Sequence, residues 1–274
     1  IGLFLRANSN LYASVSSSRI TFQFYDLMRP LDDLVSELVR DAPDVLVAPP
    51  SVLRYLADQK IAIKFRRIVS VAEVLTPLDR ATIERYFQTT VHQFYTSTEG
   101  EIAATCEHGT LHLNEEIMVV EKEWIDEERT MFHPIISDFK RKTQPMIRYR
   151  QNDILVLSKE PCPCGDARQA IAEILGRQDD VFEFESTSGN KELVVPDLIR
   201  RATMGLHSGI TAYMVEQVSP SKIVVQLQPH LPNLDFSGFE QLWEAKEIVP
   251  PQISVETYDF TPSATKMRRI SKRF

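Results

Sequence analysis

The chain has 274 residues, of which 43% are hydrophobic and 25% charged, a balance that argues against wholesale disorder. Its net charge of -7 disfavours a nucleic-acid-binding module, because such modules usually carry a basic field. Three cysteines cannot form a paired disulfide framework, and neither a membrane-spanning run nor a signal-peptide pattern is present, so we expect a cytoplasmic protein without nucleic-acid or membrane partners.

The first half of the chain alternates between helical and strand periods. An apolar run opens the chain at residues 1–6 without an initiator Met, so we expect an interior strand and a chain that is the C-terminal part of a longer protein. Helices are predicted at residues 31–39, 51–58 and 76–87, and strands at 44–48, 68–71 and 91–95. This order predicts parallel βαβ units, in which ligands lie beyond the carboxyl ends of the strands.

The second half is predicted to contain more strand and a second domain. From Thr110 the pattern favours strands, with a further pair at residues 135–138 and 153–157, which indicates a small β-rich subdomain. The polar break at residues 176–180 predicts a hinge. The fold expected is therefore α/β, with residues 1–175 forming part of a large domain and residues 181–274 a small, mobile α+β domain.

Two polar segments follow predicted strands and could bind a nucleotide. In Tyr95–Gly100, hydroxyls, a carboxylate and a glycine suit a phosphate and its Mg²⁺, although a solvated turn is the simpler interpretation. In residues 148–153, Asp153 can accept hydrogen bonds from ribose hydroxyls, and a polar turn is the alternative.

Two further segments stand out by composition. The glycine and acidic pair of residues 176–180 suit a hinge or an ordinary linker. Residues 261–274 carry five cations and no acid, which is typical of a solvated or anion-contacting tail. A single lysine on a mobile element could instead neutralise phosphate charge in a transition state.

In their order along the chain, these segments resemble the adenylate-forming superfamily of acyl- and aryl-CoA ligases. The similarity is greatest to the branch of phenylacetate-CoA ligases and deazaflavin-coenzyme (F390) synthetases. Residues 95–100 are similar to the aromatic-x-x-Thr-Glu loop, which implies that Tyr95 lies at the nucleotide, Thr98 contacts phosphate and Glu99 holds Mg²⁺. Residues 149–153 resemble Tyr-Arg-x-Gly-Asp, whose Asp, here Asp153, binds ribose; Asn152 replaces the usual glycine.

Three other segments extend the resemblance. Residues 71–75 are similar to the Gly-Glu-x-Leu segment beside adenine and include Glu73. Residues 176–180 resemble Gly-Arg-x-Asp-Asp, which implies that Arg177 lies near the nucleotide and that the following acid is the hinge. Lys266 resembles the terminal lysine that assists adenylation, although Thr265 stands where a glycine usually precedes it. The family's upstream Ser/Thr/Gly-rich phosphate loop has no match here.

The three cysteines and a histidine form a candidate zinc site. Cys106 and His108 lie 56 residues before Cys162 and Cys164, and together they offer three thiolates and an imidazole, a common structural set. His112 is an alternative fourth ligand, and three reduced thiols without metal is the alternative interpretation. The ligase branch carries a similar Cys-Pro-Cys-Gly turn, which implies a structural role.

The resemblance implies an enzyme that uses ATP and Mg²⁺ to adenylate a carboxylic acid, aryl acids included, or an acidic hydroxyl, and that releases pyrophosphate. CoA would accept the product of a second step, and the partner would be a small-molecule acid, with a homodimer left open. Two alternatives remain: a catalytically degenerate nucleotide-binding relative, and a zinc-stabilised interaction protein whose basic tail holds an anionic partner.

Overall fold

The computed structural model describes residues 1–6, 17, 19–259 and 267–274. These residues divide into two compact units. Unit 1 takes its described residues from Ile1–Gln151 and Leu155–Ile174, together with Met267. Unit 2 takes them from Asn152–Ile154, from 175–259 and from Arg268–Phe274. Among the described residues, the divisions along the chain therefore fall directly before Asn152, Leu155, Leu175 and Arg268.

Unit 1 opens with a parallel sheet and its connecting helices. Their bounds are β1 (Gly2–Leu5), β2 (Gln23–Asp26), α1 (Leu31–Asp41), β3 (Val45–Ala48), α2 (Pro50–Asp58), β4 (Arg67–Ser70), α3 (Pro77–Phe87) and β5 (Val91–Ser97). The strands lie in the order β5-β4-β3-β1-β2 and every neighbouring pair is parallel. The predicted βαβ alternation is confirmed, and β1 is an interior strand as expected.

Local chemistry explains where these helices begin. Pro50 and Pro77 occupy the first positions of α2 and α3, where a missing N–H costs nothing. Thr76 caps α3 by accepting a hydrogen bond from the Asp79 N–H. Leu34 and Ile83 are fully buried and pack with the sheet strands in one apolar core, which fixes the helices on the sheet.

The sheet continues through antiparallel strands, which form the β-rich part. Their bounds are β6 (Gly100–Thr105), β7 (Leu111–Leu113), β8 (Met118–Trp124), β9 (Met131–Asp138), β10 (Met146–Arg150), β11 (Asp153–Leu157) and β12 (Ala170–Arg177). From β5 the order is β6-β7-β12-β11-β9-β10, and β8 also pairs with β9. A second apolar core, which includes Ile102, Phe132 and Leu155, lies under these strands.

The predicted loop at residues 96–100 is largely strand. β5 runs to Ser97 and β6 starts at Gly100, because Thr96 pairs with Glu101 and Ser97 with Gly100 in an antiparallel hairpin. Only Thr98 and Glu99 remain in the turn. The site candidates of this segment are therefore presented by a tight hairpin rather than by an open loop.

Unit 2 contains most of the residues predicted to form the small α+β domain. Its elements are a short 3-10 turn (Gln178–Asp180), β13 (Phe182–Glu185), β14 (Lys191–Val194), α4 (Pro196–Gly205), β15 (Ala212–Ser219), β16 (Lys222–Gln228), α5 (Ser237–Ala245), β17 (Gln252–Thr257) and β18 (Ile270–Lys272). A sheet in the order β17-β16-β15-β18 includes the antiparallel pair β15–β16, and β13 pairs with β14.

The helix α5 ends at Ala245. Glu247 adopts a left-handed φ of 49°, and Ile248 forms a β-bridge with Ser186. Phe184, Phe239 and Trp243 pack together, with ring centroids 5.0 Å and 5.6 Å from Trp243, and anchor α5 on β13.

Among the helices of the described segments, none combines the length and apolarity that a membrane crossing requires.

Candidate functional site

The hairpin turn between β5 and β6 presents Thr98 and Glu99. Thr98 is exposed and Glu99 half-buried, and the Glu99 N–H donates to the Ser97 hydroxyl oxygen over 3.2 Å. Tyr95 lies earlier on β5 with its side chain in the buried core of the β-rich part. The turn therefore exposes a hydroxyl beside a carboxylate, whereas the aromatic residue contributes to packing.

Glu99 is surrounded by donors from the second motif. Burial desolvates the carboxylate and raises its pKa, but hydrogen bonding from Ser97, its own N–H, Gln151 and Tyr149 outweighs this and holds the pKa below its usual range. Glu99 is therefore ionised at neutral pH. The fold thus brings Glu99 close to Tyr149 and Gln151 within unit 1.

Gln151 is a residue that sequence reasoning left without a role. Its side chain is 5% exposed, and its amide nitrogen has no partner at normal hydrogen-bond distance among the described residues, so its attraction to Glu99 acts over a longer range. Tyr149 and Gln151 are two residues apart, which places both on one side of an extended chain. That spacing could have identified the pair.

Glu73, expected beside adenine, is held by protein groups. Its carboxylate is 3% exposed and accepts hydrogen bonds from Arg6 Nη2 at 3.1 Å, the Ser51 N–H at 3.3 Å and the Met267 N–H at 3.1 Å. These bonds tie the start of α2 and the end of β1 to the segment after β4. Glu73 therefore fixes the segment's position.

Unit 2 contains the two other nucleotide candidates. Arg177 Nε lies 3.9 Å from Asp153 Oδ1, with Arg177 largely exposed. Asn152, which replaces the family's glycine, donates from Nδ2 to Asp179 Oδ2 at 2.8 Å, and its carbonyl accepts the Gln178 N–H at 2.8 Å. The predicted ribose-binding and hinge segments are therefore hydrogen-bonded to each other.

Gly176 occupies a backbone conformation that suits only glycine. Its φ is +120°, and a side chain there would meet only Asp180 Oδ2 at 3.9 Å. The requirement for glycine therefore comes from the backbone and not from lack of space. This places a conformationally permissive residue immediately before the 3-10 turn of the predicted hinge.

Lys266 lies outside the described residues, but the tail beyond it is described. Its cations all have partners within unit 2: Arg268 with Asp180, Arg269 with the Tyr213 carbonyl at 3.1 Å, Lys272 with Glu183 at 2.5 Å, and Arg273 with Glu216 at 2.6 Å. Because these four cations already have partners, the described part of the tail offers little free positive charge to an anionic partner.

The Cys/His cluster is a compact group of metal-ligating side chains in the described part of unit 1. Cys106, His112, Cys162 and Cys164 place one ligand atom each within 4.8 Å of all the others. The Cys106 and Cys162 sulfurs are 3.7 Å apart, and Cys164 Sγ lies 3.5 Å from His112 Nε2. Ligands of a tetrahedral zinc ion lie about 3.7 Å from one another, so the donor set and its spacing fit zinc.

Local bonds orient the ligands of this cluster. His112 is fully buried and donates from Nδ1 to the Arg168 carbonyl at 3.0 Å, which leaves the Nε2 lone pair facing Cys164. The Asp166 N–H points at the Cys164 sulfur over 3.4 Å. The Arg168 guanidinium pairs with Asp166 and lowers the pKa of that carboxyl to about 2, so this second layer is ordered and charged.

Two glycine turns carry the cysteines. The Gly109 N–H donates to the Cys106 carbonyl and the Gly165 N–H to the Cys162 carbonyl, with φ of 76° and 74° at the two glycines. The Thr110 hydroxyl and the Cys164 N–H donate to the Cys162 sulfur and lower the pKa of its thiol to about 6. Both turns expose their sulfur atoms toward a common point.

His108, the ligand preferred from the sequence, lies outside this cluster. It sits in the turn after Cys106, about half exposed, with Nε2 3.9 Å from Glu107. His112 takes the position because it lies on β7, where pairing with Ala104 of β6 and Ala170 of β12 directs it inward. The preference for His108 is corrected to the alternative, His112.

Comparisons with known proteins show which proteins share sequence or fold with this chain. No protein-family model matches the chain. Protein CapK of Staphylococcus aureus is 31% identical over 136 residues, which are 48% of this chain and 30% of CapK. Among solved structures, 2-hydroxyisobutyryl-CoA ligase in the postadenylation state with 2-HIB-AMP has a TM-score of 0.71 at 16% identity, and the match covers 99% of this chain and 65% of that one.

Two other ligases have the same architecture. Anthranilate CoA ligase AuaEII with anthranoyl-AMP has a TM-score of 0.57 at 13% identity, covering 91% of this chain and 52% of that one. Amide bond synthetase McbA of Marinactinospora thermotolerans has a TM-score of 0.59 at 16% identity, covering 87% and 52%. The chain spans less than two thirds of the length of these proteins, and it has the fold of the adenylate-forming CoA ligases.

Proposed function

We propose that the protein adenylates a carboxylic acid with ATP and releases pyrophosphate. The observation that carries the proposal is the convergence of Glu99, Tyr149 and Gln151, where an ionised carboxylate lies beside a buried amide donor that has no full hydrogen bond. A phosphate oxygen would satisfy such a donor. The ligases of this fold that were crystallised with acyl-AMP support the same reaction.

The reaction needs charge stabilisation more than covalent help from the protein. A substrate carboxylate oxygen would attack the α-phosphorus of ATP, and the bond from that phosphorus to the pyrophosphate oxygen would break. Glu99 fits Mg²⁺ because it is an ionised oxygen ligand, and the ion would supply neutralisation of phosphate charge. The exposed Thr98 hydroxyl would donate to a phosphate oxygen.

The remaining candidates have complementary roles in this proposal. Asp153 would accept hydrogen bonds from the ribose hydroxyls, and Arg177 would lie near the nucleotide. Lys266 would bring a positive charge to the reacting phosphate. In a second step, the thiol of CoA would attack the carbonyl of the acyl-AMP and AMP would leave, as the CoA-ligase neighbours suggest.

Pyrophosphate release by the complete protein across a panel of aliphatic and aryl carboxylic acids tests the proposal. We expect ATP-dependent release with at least one acid, and its loss in Lys266→Ala. A nucleotide-binding relative without catalysis would bind ATP yet release no pyrophosphate with any acid. Thioester formation on addition of CoA separates the ligase from an enzyme that stops at the adenylate.

The Cys/His cluster has a structural role in this proposal. The four ligands and their orienting bonds would hold a zinc ion between β6, β7 and the segment before β12. The ion would cross-link these strands and supply no chemistry to the reaction. Three reduced thiols in one cluster also agree with the cytoplasmic location expected from the sequence.

A further inference from the structure

The loop between β9 and β10 carries three consecutive cations, Lys140, Arg141 and Lys142. We call residues 139–145 the basic loop. Its two ends are fixed, because Asp138, the last residue of β9, pairs with the first residue of β10. None of the three cations forms an ion pair with another described residue. The basic loop therefore concentrates positive charge that ion pairs in the described part of the chain do not match.

Arg141 differs from the two lysines because part of its guanidinium is buried. The residue is half-buried, and its Nη1 atom is shielded from solvent and has no hydrogen-bond partner among the described residues. A guanidinium keeps its charge throughout the working pH range, and a buried donor without an acceptor costs free energy. Native proteins retain few such groups, so each one calls for a specific explanation. A bound anion would supply the acceptor that Arg141 lacks.

Two arginines on the adjoining strand β10 do have acidic partners. Arg148 donates from Nε and Nη2 to the two carboxylate oxygens of Glu121 at 2.9 Å and 3.0 Å. Arg150 donates from Nε to Glu123 at 2.5 Å. Both acids lie on β8, on the opposite side of β9 from β10. The protein therefore compensates the arginines of this part of the sheet, and the lack of a partner is particular to the basic loop.

The basic loop begins beside the hairpin turn that presents Thr98 and Glu99. Asp138 Oδ1 accepts a hydrogen bond from the Lys140 N–H at 2.7 Å. Asp138 Oδ2 lies 3.3 Å from the position that a Cβ atom at Gly100 would take, and the absence of a side chain there permits this close approach. The same carboxylate therefore lies against the start of the basic loop and the end of the hairpin turn, and all of these residues belong to unit 1.

We propose that Arg141 binds the terminal diphosphate of ATP, the group that leaves as pyrophosphate, and that Lys140 and Lys142 add positive charge around it. The inference rests on the proposed function, which puts the phosphates of ATP at the Thr98–Glu99 turn, and it adds residues that the resemblance does not assign. A planar guanidinium can donate to two phosphate oxygens at once. When the bond between the α-phosphorus and the bridging oxygen breaks, its electron pair stays on pyrophosphate, and the added charge strengthens the interaction with Arg141.

Calorimetric titration of the complete protein with inorganic pyrophosphate in the presence of Mg²⁺ tests the inference. We expect Arg141→Met to weaken binding by about tenfold to a hundredfold, because it removes charge-assisted hydrogen bonds to the ligand. Arg141→Lys keeps the charge without the planar fork and should recover only part of the affinity. Arg148→Gln is the matched control. It should bind pyrophosphate normally, since Arg148 already pairs with Glu121.

Thermal unfolding separates a ligand-binding role of Arg141 from a structural one. Without ligand, Arg141→Met removes a buried donor that has no partner, so the midpoint of unfolding should stay level or rise. Pyrophosphate at one fixed concentration should raise the midpoint of the unmodified protein and raise that of Arg141→Met much less. A structural role predicts the reverse, with a lower midpoint without ligand and an undiminished increase with it.

Titrations with ATP, CoA and inorganic phosphate identify the source of the phosphate. A dependence on Arg141 that is confined to CoA would overturn the assignment to ATP, and so would inorganic phosphate that binds as tightly as pyrophosphate. If the unmodified protein binds neither ATP nor pyrophosphate, this inference and the proposed function both fail. If it binds both ligands and Arg141→Met binds them equally well, only this inference is removed.

Discussion

The Cys/His cluster and the nucleotide candidates differ in how completely the described residues assemble them. All four ligand atoms of the cluster lie within 4.8 Å of one another and within unit 1. The nucleotide candidates are divided, with Glu99 and Thr98 in unit 1 and Asp153 and Arg177 in unit 2. One group is therefore complete within a single unit, whereas the candidates of the other belong to different units.

The difference extends to hydrogen bonding. In the cluster, His112 and Cys164 already have the bonds that orient them, from the Arg168 carbonyl and the Asp166 N–H. Beside Glu99, the Gln151 amide nitrogen has no full partner among the described residues. Satisfied second-layer bonds suit a permanently held ion, and an unsatisfied buried donor suits a ligand that binds and leaves.

The largest expected effect tests the preassembled cluster. His112→Ala should remove stoichiometric zinc, as measured by metal analysis of purified protein, and should lower the free energy of unfolding by about 4 kcal/mol, because loss of a bound metal is among the most damaging single changes. The matched control is His108→Ala, which removes a half-exposed imidazole outside the cluster and should retain zinc and stability.

Zinc loss in His108→Ala with retention in His112→Ala would contradict the assignment of the ligands. Absence of zinc from the unmodified protein would remove the metal altogether and leave three reduced thiols. In that case the cluster would hold no permanent ligand, and its contrast with the nucleotide candidates would disappear.

The next effect concerns Glu99. Glu99→Gln keeps the shape of the side chain but removes its charge, so pyrophosphate release should fall by about a hundredfold in kcat/KM. Ser97→Ala, which removes only a neighbouring hydroxyl, should cost much less. A loss in Glu99→Gln no larger than that in Ser97→Ala would show that the charge has no role in the reaction.

The lowered pKa of Glu99 gives this prediction a pH dependence. Because the folded-state pKa lies below the ordinary value of 4.5, the carboxylate stays ionised from there through neutral pH. Its favourable interactions with Ser97 and Tyr149 stabilise the fold above that ordinary value and are lost only as the pH falls through the lowered pKa. The rate profile between pH 5 and 8 should therefore show no decline caused by Glu99.

The sequence predicts what depends on local chemistry. Apolar periodicity, Pro50, Pro77 and Thr76 determine α2 and α3, and the order of strands and helices indicates the parallel sheet. Similarity of short segments also indicates which residues belong together, since Glu99 and Tyr149 do meet.

The structural features that the sequence does not predict depend on strand register and on distant contacts. The hairpin at residues 96–101 exists because Thr96 pairs with Glu101, which no local pattern shows. His112 rather than His108 joins the cysteines because β7 pairs on both sides. Glu73 is committed to Arg6 and Met267, residues distant along the chain. These contacts are set by tertiary structure, which spacing alone cannot encode.

A smaller effect is expected at Asp153. Asp153→Ala removes the proposed acceptor for the ribose hydroxyls and should weaken ATP binding about tenfold, since one hydrogen bond to a charged group contributes about 1.5 kcal/mol. Titration calorimetry measures the dissociation constant. Glu160→Ala, at an exposed position after β11, is the control and should bind ATP normally. Unchanged affinity in Asp153→Ala would remove this residue from the nucleotide site.

The smallest effect compares backbone conformation in the two regions. The left-handed positions of the cysteine turns are glycines, Gly109 and Gly165, but the segment before Glu73 places Ala72 at a φ of 69°. An alanine in this conformation costs about 1 kcal/mol, so Gly165→Ala should destabilise the protein by about that amount, and no neighbouring atom within 4 Å would add a steric penalty.

Ala72→Gly should relieve the same strain, although the greater freedom of glycine in the unfolded chain offsets part of the gain. We therefore expect a stabilisation below about 1 kcal/mol, measured by denaturant unfolding with unchanged slope. A destabilised Ala72→Gly would mean that the alanine methyl group packs usefully beside Glu73 and outweighs the strain. The strained backbone at Ala72 would then be retained because it fixes the position of this segment. The cysteine turns carry no such strain, because glycine occupies their left-handed positions.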